Sequence, residues 1–110
     1  MSSSTLTPAV SLIVPVYKSE ATLGTCLDSL LAQTEADIEI ICVNDGSPDA
    51  CASILESYAS RDARIRVLAQ ENQGLSAARN AGMDVARGRI VDFVDSDDTV
   101  SPDLCQRLVE

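Results

Sequence analysis

The sequence predicts an α/β domain: a mainly parallel β-sheet with helices on both faces, in three α/β/α layers. Three observations carry this. Runs of β-branched residues alternate with segments of helical apolar periodicity, in the order βαβαβαβα. The strongest runs are apolar throughout rather than alternating, as in strands covered on both faces. The 110 residues, 45% hydrophobic and 23% charged with mean hydropathy +0.09, fit one compact domain with a core and not a disordered chain.

The first strand is Val10–Val14, and Pro15, which has no amide donor, ends it there or just beyond. Leu23, Cys26, Leu27, Leu30 and Leu31 form the apolar stripe of the first helix. Ser19 is placed to cap it, with Glu20 at the positive end of its dipole. Ile38–Val43 is the second strand, running into Asn44-Asp45-Gly46. Ser47-Pro48-Asp49 then opens a helix with Ser47 as N-cap and Pro48 at the first helical position. Cys51, Ile54, Leu55 and Tyr58 are its buried stripe, and Ile65–Ala69 is the third strand.

Leu75, Ala78, Gly82, Val85 and Ala86 mark the third helix, stopped by Gly88 with Arg87 at its negative end. Ile90–Val94 is the fourth strand, followed by Asp95-Ser96-Asp97-Asp98. Ser101-Pro102-Asp103 repeats the helix-opening signal, and Leu104, Cys105, Leu108 and Val109 begin a stripe. A helix of about two turns has little stability alone, so the sequence reads as part of a longer parent. Residues 1–9 are expected to be a flexible tail and 10–110 the domain.

Seventeen acids against eight bases give a net charge of −9, with no histidine. That balance disfavours nucleic acid and anionic membranes as partners, and it removes imidazole-based nucleophilic catalysis. Residues 1–60 hold one base, Lys18, and eight acids, whereas residues 61–110 hold seven arginines and nine acids. A bound anion would therefore find its counter-charge in the second half. Cys26, Cys42, Cys51 and Cys105 lack the paired spacing of a structural zinc site and read as reduced thiols. The start lacks the basic n-region of a signal peptide, and no apolar run is long enough to span a bilayer. A soluble, cytoplasmic chain is expected.

In an open parallel sheet, ligands bind beyond the carboxyl ends of the strands. There the first strand ends in Pro15-Val16-Tyr17, the second in Asn44-Asp45-Gly46 and the fourth in Asp95-Ser96-Asp97-Asp98, so four carboxylates share one rim. Like charges ~4 Å apart repel by roughly 4 kcal/mol at an effective dielectric of 20, so the cluster needs a cation, a proton or generous solvation. An Asp-x-Asp sequence after a buried strand suits Mg2+ or Mn2+, which complete their shells with water and phosphate oxygens. The plain alternative is a solvated loop capping the last helix, a task Ser101 already fills. Asp45 reads equally well as a turn residue. Arg79 is either a surface arginine or, in its polar surroundings, a guanidinium fork for a diphosphate. Tyr17 either covers the core or offers its ring to a base. Neither GxGxxG nor GxxxxGK[ST] occurs.

Ser11-Leu-Ile-Val-Pro-Val-Tyr17, Val43-Asn-Asp-Gly-Ser47, Glu71-Asn-Gln-Gly-Leu-Ser-Ala-Ala-Arg-Asn-Ala-Gly82 and Phe93-Val-Asp-Ser-Asp-Asp98 resemble the family 2 glycosyltransferases in order and spacing. The resemblance covers nearly the whole chain from Val10. It implies a Rossmann-like GT-A fold and metal-assisted, inverting transfer from a nucleotide-diphosphate-sugar donor, UDP by family habit with GDP or dTDP left open. The acceptor would be a saccharide or a lipid-linked molecule, as in polysaccharide biosynthesis at the inner face of a membrane.

Carried over by position, Pro15, Val16 and Tyr17 flank the nucleotide, Asp45 hydrogen-bonds the base, and Arg79 lies close by. Asp95-Ser96-Asp97 is the DxD motif, with Asp97 the direct ligand of Mg2+ or Mn2+. Asp95 falls on the ribose or the metal shell, and Ser96 lies beside the nucleotide. The family's general base falls after this motif, beyond Glu110. The chain is therefore expected to bind donor and metal without transferring sugar alone, and to self-associate through an uncovered sheet edge.

Two rival readings differ in class. A receiver-like or phosphatase-like domain, holding Mg2+ around a phosphorylated aspartate, wants an acid where this chain has Pro15-Val16-Tyr17. It also wants a late-strand lysine, and the only lysine is Lys18. An interaction module with solvent-facing acids would give no heat with UDP and Mn2+.

Overall fold

The computed structural model describes residues 7–110. Its elements are β1 (Val10–Val16), α1 (Leu23–Leu31), β2 (Ile38–Asp45), α2 (Cys51–Arg61), β3 (Ile65–Gln70), α3 (Leu75–Val85), β4 (Ile90–Phe93) and α4 (Leu104–Val109). The sheet is wholly parallel in the order β3-β2-β1-β4. The chain steps outward from β1 to β3, then returns past both to set β4 on the far side of β1. With right-handed crossovers, that reversal puts α3 on the opposite face from α1 and α2, and the packing agrees. Leu23, Leu27, Leu30 and Leu55 pack with Leu12, Val14 and Ile40 on one face, joined by Cys105 of α4. Ile13, Ile41 and Val43 pack with Ala78 on the other. Every residue of β1 and β2 is buried, which is why both strands are predominantly apolar on both faces.

Several local signals resolve differently from expectation. β1 continues through Pro15 to Val16 because Pro15 needs no donor there. Ile13 accepts from Val94 on the β4 side, and the residue two further on faces the same way, where β4 has already ended. Ser19 does not cap α1 with its hydroxyl. Its carbonyl accepts from the amides of Thr22 and Leu23 (3.0 and 2.8 Å), and its Oγ lies 3.8 Å from Cys51 Sγ.

α2 begins at Cys51 rather than Pro48. The Asp49 carboxylate accepts from the Cys51 amide (3.1 Å) and the Ser47 hydroxyl (2.5 Å), while Ser47 Oγ accepts from the Lys18 amide. The Ser47 hydroxyl, followed by the other donors on this carboxylate, holds Asp49 well below the usual range. Leu75 leaves the core stripe and is 52% exposed. α3 instead presses Gly82 onto β1, where a Cβ would come 2.5 Å from Ile13 Cγ2. Within the expected tail, Pro8 and Ala9 are buried, and the Ala9 amide donates to the Asp37 carbonyl (2.9 Å). The rest of the expected tail, residues 1–6, lies outside the described residues. Among the described residues no helix is long and apolar enough to cross a membrane, and all four cysteines are free and buried.

At the amino-terminal end of the sheet lies a network that the sequence did not announce. Glu39 is only 3% exposed and accepts from Ser11 Oγ (2.6 Å), the Arg87 amide (2.6 Å) and Arg66 Nη1 (3.1 Å). Burial raises its pKa, but those hydrogen bonds outweigh burial and hold it below the ordinary 4.5. Gly88 closes the network by donating to Ser11 Oγ (2.8 Å), and a Cβ there would lie 2.6 Å from that oxygen. This close approach, more than the end of α3 at Val85, is what calls for glycine.

Candidate functional site

Reversal of the strand order between β1 and β4 opens a crevice at their carboxyl ends, where ligands of such sheets bind. It holds a cavity of about 610 Å³. One wall is Pro15, Val16 and Tyr17 from the end of β1, with Lys18, Ser19, Ala21 and Thr22 following. Asp45 comes from the end of β2, Asn72, Gly74, Leu75 and Ala78 from the entry to α3, and Asp95, Ser96 and Asp97 from the loop after β4. Seven of the residues expected at the site thus line a single cavity. Arg79 stands beside it, with Nη2 3.7 Å from Asp95 Oδ1 and its guanidinium 5.5 Å from the centre of the Phe93 ring. Its Nε is buried without a partner among the described residues.

Asp45 does more than make a turn. One carboxylate oxygen accepts from Gln70 Nε2 (2.8 Å) and the Gln73 amide (2.9 Å). The other accepts from the Gly74 amide (3.0 Å) and Asn72 Nδ2 (3.3 Å). Burial alone would raise its pKa, but Gln70 and the two amides outweigh burial and lower it. Asp45 thereby ties the loop before α3 to the end of β2. Gly46, at φ 69°, lets that loop come close, since a Cβ would meet the Asn72 nitrogen at 2.7 Å.

Asp95, Asp97 and Asp98 are exposed, and each offers an oxygen within 4.8 Å of the others. Only Arg79 reaches this cluster among the described ion pairs. Hard carboxylate donors, open to water and to phosphate oxygens, fit Mg2+ or Mn2+. The nearby Cys26 thiol donates to the Asp95 carbonyl (3.6 Å). Burial, reinforced by Asp98, Asp97 and Asp95, pushes its pKa up to about 11, so it stays a neutral donor and not a ligand.

Residue-by-residue reading did not single out Ser19, Ala21, Thr22, Leu75 or Ala78 as site residues. The switch-point rule contains the signal for the first three, because whatever follows β1 must cross the crevice mouth. Lys18, at φ 52°, makes that turn, with Nζ 5.4 Å from the centre of the Tyr17 ring.

Fold and cavity together define the class: an α/β domain of GT-A fold whose ligand site lies at the switch point of a parallel sheet. The chain belongs to glycosyl transferase family 2, whose sequence profile matches residues 11–110. It is 58% identical over 103 residues to the uncharacterized glycosyltransferase EpsJ of Bacillus subtilis, covering 94% of this chain and 30% of that protein. Glycosyltransferase GlyA of Streptococcus pneumoniae is 48% identical over 99 residues, covering 90% and 14%. The solved structure of S. aureus TarS in complex with UDP-GlcNAc superposes with a TM-score of 0.83 at 32% identity, covering 90% of this chain and 29% of that one. Mannosyltransferase PcManGT from Pyrobaculum calidifontis, in complex with GDP-Man and Mn2+, gives 0.78 at 26% identity, covering 87% and 29%. The chain thus spans about three tenths of the length of EpsJ.

Proposed function

We propose that this chain is the donor-binding portion of an inverting glycosyltransferase that uses a nucleotide-diphosphate sugar, in the first place a UDP-sugar. The observation that carries the reading is the clustering of the Asp95, Asp97 and Asp98 carboxylates, of which Asp95 alone meets an arginine among the described residues, at the cavity that Asp95, Asp97, Tyr17 and Asp45 line. The complexes of TarS with UDP-GlcNAc and of PcManGT with GDP-Man and Mn2+ support it.

Pro15, Val16 and Tyr17 receive the nucleotide, with the Tyr17 ring, 43% exposed, against the base. Asp45, through its bonds to Gln73 and Gly74, fixes the Asn72–Gly74 loop that lies beside the base. Asp95 and Ser96 face the ribose and diphosphate side. Arg79, its guanidinium over Phe93, brings positive charge next to Asp95. Asp97, with Asp95, holds Mg2+ or Mn2+, and Asp98 completes the oxygen cluster. When bound, the ion supplies Lewis-acid stabilisation of the departing nucleoside diphosphate. Asp45 is occupied by the loop, and Asp95 and Asp97 by the ion, so we assign the acceptor's general base to a part of the enzyme outside these residues. The chain alone then binds donor without hexosyl transfer to a saccharide or lipid-linked acceptor. We place the whole enzyme in the reducing cytoplasm, at the inner membrane face, in keeping with four free thiols.

Calorimetric titration with UDP tests this. Binding is expected with Mn2+ present and is lost on chelation or in Asp97→Asn; equal heats with and without Mn2+ would contradict it. Among the described residues β4 pairs with β1 alone and exposes Val91 and Phe93, so we also propose self-association through this edge. Light scattering is expected to show mass rising with concentration, and a strict monomer would contradict it.

A further inference from the structure

The acidic loop is fastened along its length by one side of α1 and the residues that flank it. Thr22, Cys26, Ser29 and Gln33 recur at i, i+4, i+7 and i+11, one side of a helical path. Thr22 Oγ1 donates to the Ser96 carbonyl at 3.1 Å, a shorter contact than its alternative, the Ser19 carbonyl at 3.3 Å. Cys26 Sγ donates to the Asp95 carbonyl at 3.6 Å. Ser29 Oγ accepts from the Val100 amide at 3.3 Å. Gln33 spans the far end, donating to the Ser101 carbonyl (2.9 Å) and accepting from the Cys105 amide (3.0 Å). From Asp95 to Cys105 the loop's backbone is bonded to this stripe at both ends and in between, while the Asp95, Asp97 and Asp98 side chains stay exposed.

Three like charges within 4.8 Å repel one another. A loop free to respond would spread them, and gathering them again would weaken ion binding. Bonds to the carbonyls of residues 95 and 96 oppose that spreading without consuming a carboxylate oxygen. We propose that Thr22 and Cys26 are positioning residues that preorganise the carboxylate cluster for a divalent ion, with Ser29 and Gln33 anchoring the rest of the loop. This rests on the metal-binding reading of Asp95 and Asp97. Groups behind metal ligands commonly change affinity by about 10–100-fold when removed, and the first pair should act at the lower end of that range.

The test compares wild type, Thr22→Val, Thr22→Ser, Cys26→Ala and Asp97→Asn. Mn2+ affinity is read by electron paramagnetic resonance of the free ion, and amide hydrogen exchange at residues 95–98 is followed without metal. Thr22→Val is expected to bind Mn2+ about tenfold more weakly and to exchange faster at those amides. Thr22→Ser should restore both, and Cys26→Ala should move both in the same direction by less. If Thr22→Val and Cys26→Ala bind Mn2+ like wild type while Asp97→Asn does not, the positioning role is overturned and the metal site stands. If wild type binds Mn2+ no better than Asp97→Asn, the metal reading fails, and unchanged exchange in Thr22→Val would overturn the fastening role as well.

Discussion

The two ends of the sheet treat carboxylates in opposite ways. At the amino-terminal end, Glu39 is buried and enclosed by Ser11, Arg66, Arg87 and, through Ser11, Gly88. At the carboxyl end, Asp95, Asp97 and Asp98 are exposed, and among the described residues only Asp95 meets an arginine, Arg79 at 3.7 Å. The first cluster is a closed account, with every oxygen matched to a donor of this chain. The second is left open, with its backbone fastened and the Asp97 and Asp98 oxygens without an arginine among the described residues. The contrast teaches how a structural acid differs from one built to meet a ligand: what matters is whether the protein itself supplies the counter-charge, not how many acids gather.

Glu39→Ala should break the contrast hardest. It strands the Ser11 hydroxyl and the Arg87 amide, and urea denaturation should show a loss of about 3 kcal/mol. UDP affinity of the folded protein should hold, because the change lies at the far end of the sheet. Asp97→Asn should do the reverse. Mn2+ affinity falls by at least about 100-fold, since loss of a direct ligand should cost no less than loss of a group behind one, while the thermal midpoint stays level or rises as like-charge repulsion is relieved. Gly88→Ala drives a Cβ against Ser11 and should cost about 2 kcal/mol by overpacking, again read by urea denaturation and again sparing the site.

The smallest effect is on pH dependence. Glu39 and Asp45 both have folded pKa values below their ordinary 4.5 and 3.8. Their contribution is therefore complete above those ordinary values and is lost as pH falls through the lower folded ones. Thermal midpoints should be flat above about pH 5 and fall in acid, with a shallower fall in Glu39→Gln.

Much of this was legible in the sequence for one reason: central strands of a parallel sheet are covered on both faces, so Val10–Val14 and Ile38–Val43 appear as apolar runs interrupted only by Ser11 and Glu39. The acid rim was legible because Asp95-Ser96-Asp97-Asp98 follows such a strand directly. Glu39 was not, since one acid inside Ile-Glu-Ile-Ile carries no local mark. Its partners Ser11, Arg66 and Arg87 lie 28, 27 and 48 residues away. The cap of α2 was misread because tertiary structure draws Ser47 to the Lys18 amide and leaves Asp49 to meet Cys51. The fastening face of α1 was hidden for a related reason. Thr22, Ser29 and Gln33 look like ordinary solvated polar positions in and around α1 until the loop after β4 is laid across them.

Diffraction at the manganese edge, from crystals grown with MnCl2 and UDP, tests the central claim most directly. The account predicts an anomalous peak in contact with an Asp97 oxygen and with the diphosphate, and the uracil against Tyr17. A nucleotide seated elsewhere, or a peak that leaves Asp97 untouched, would contradict it.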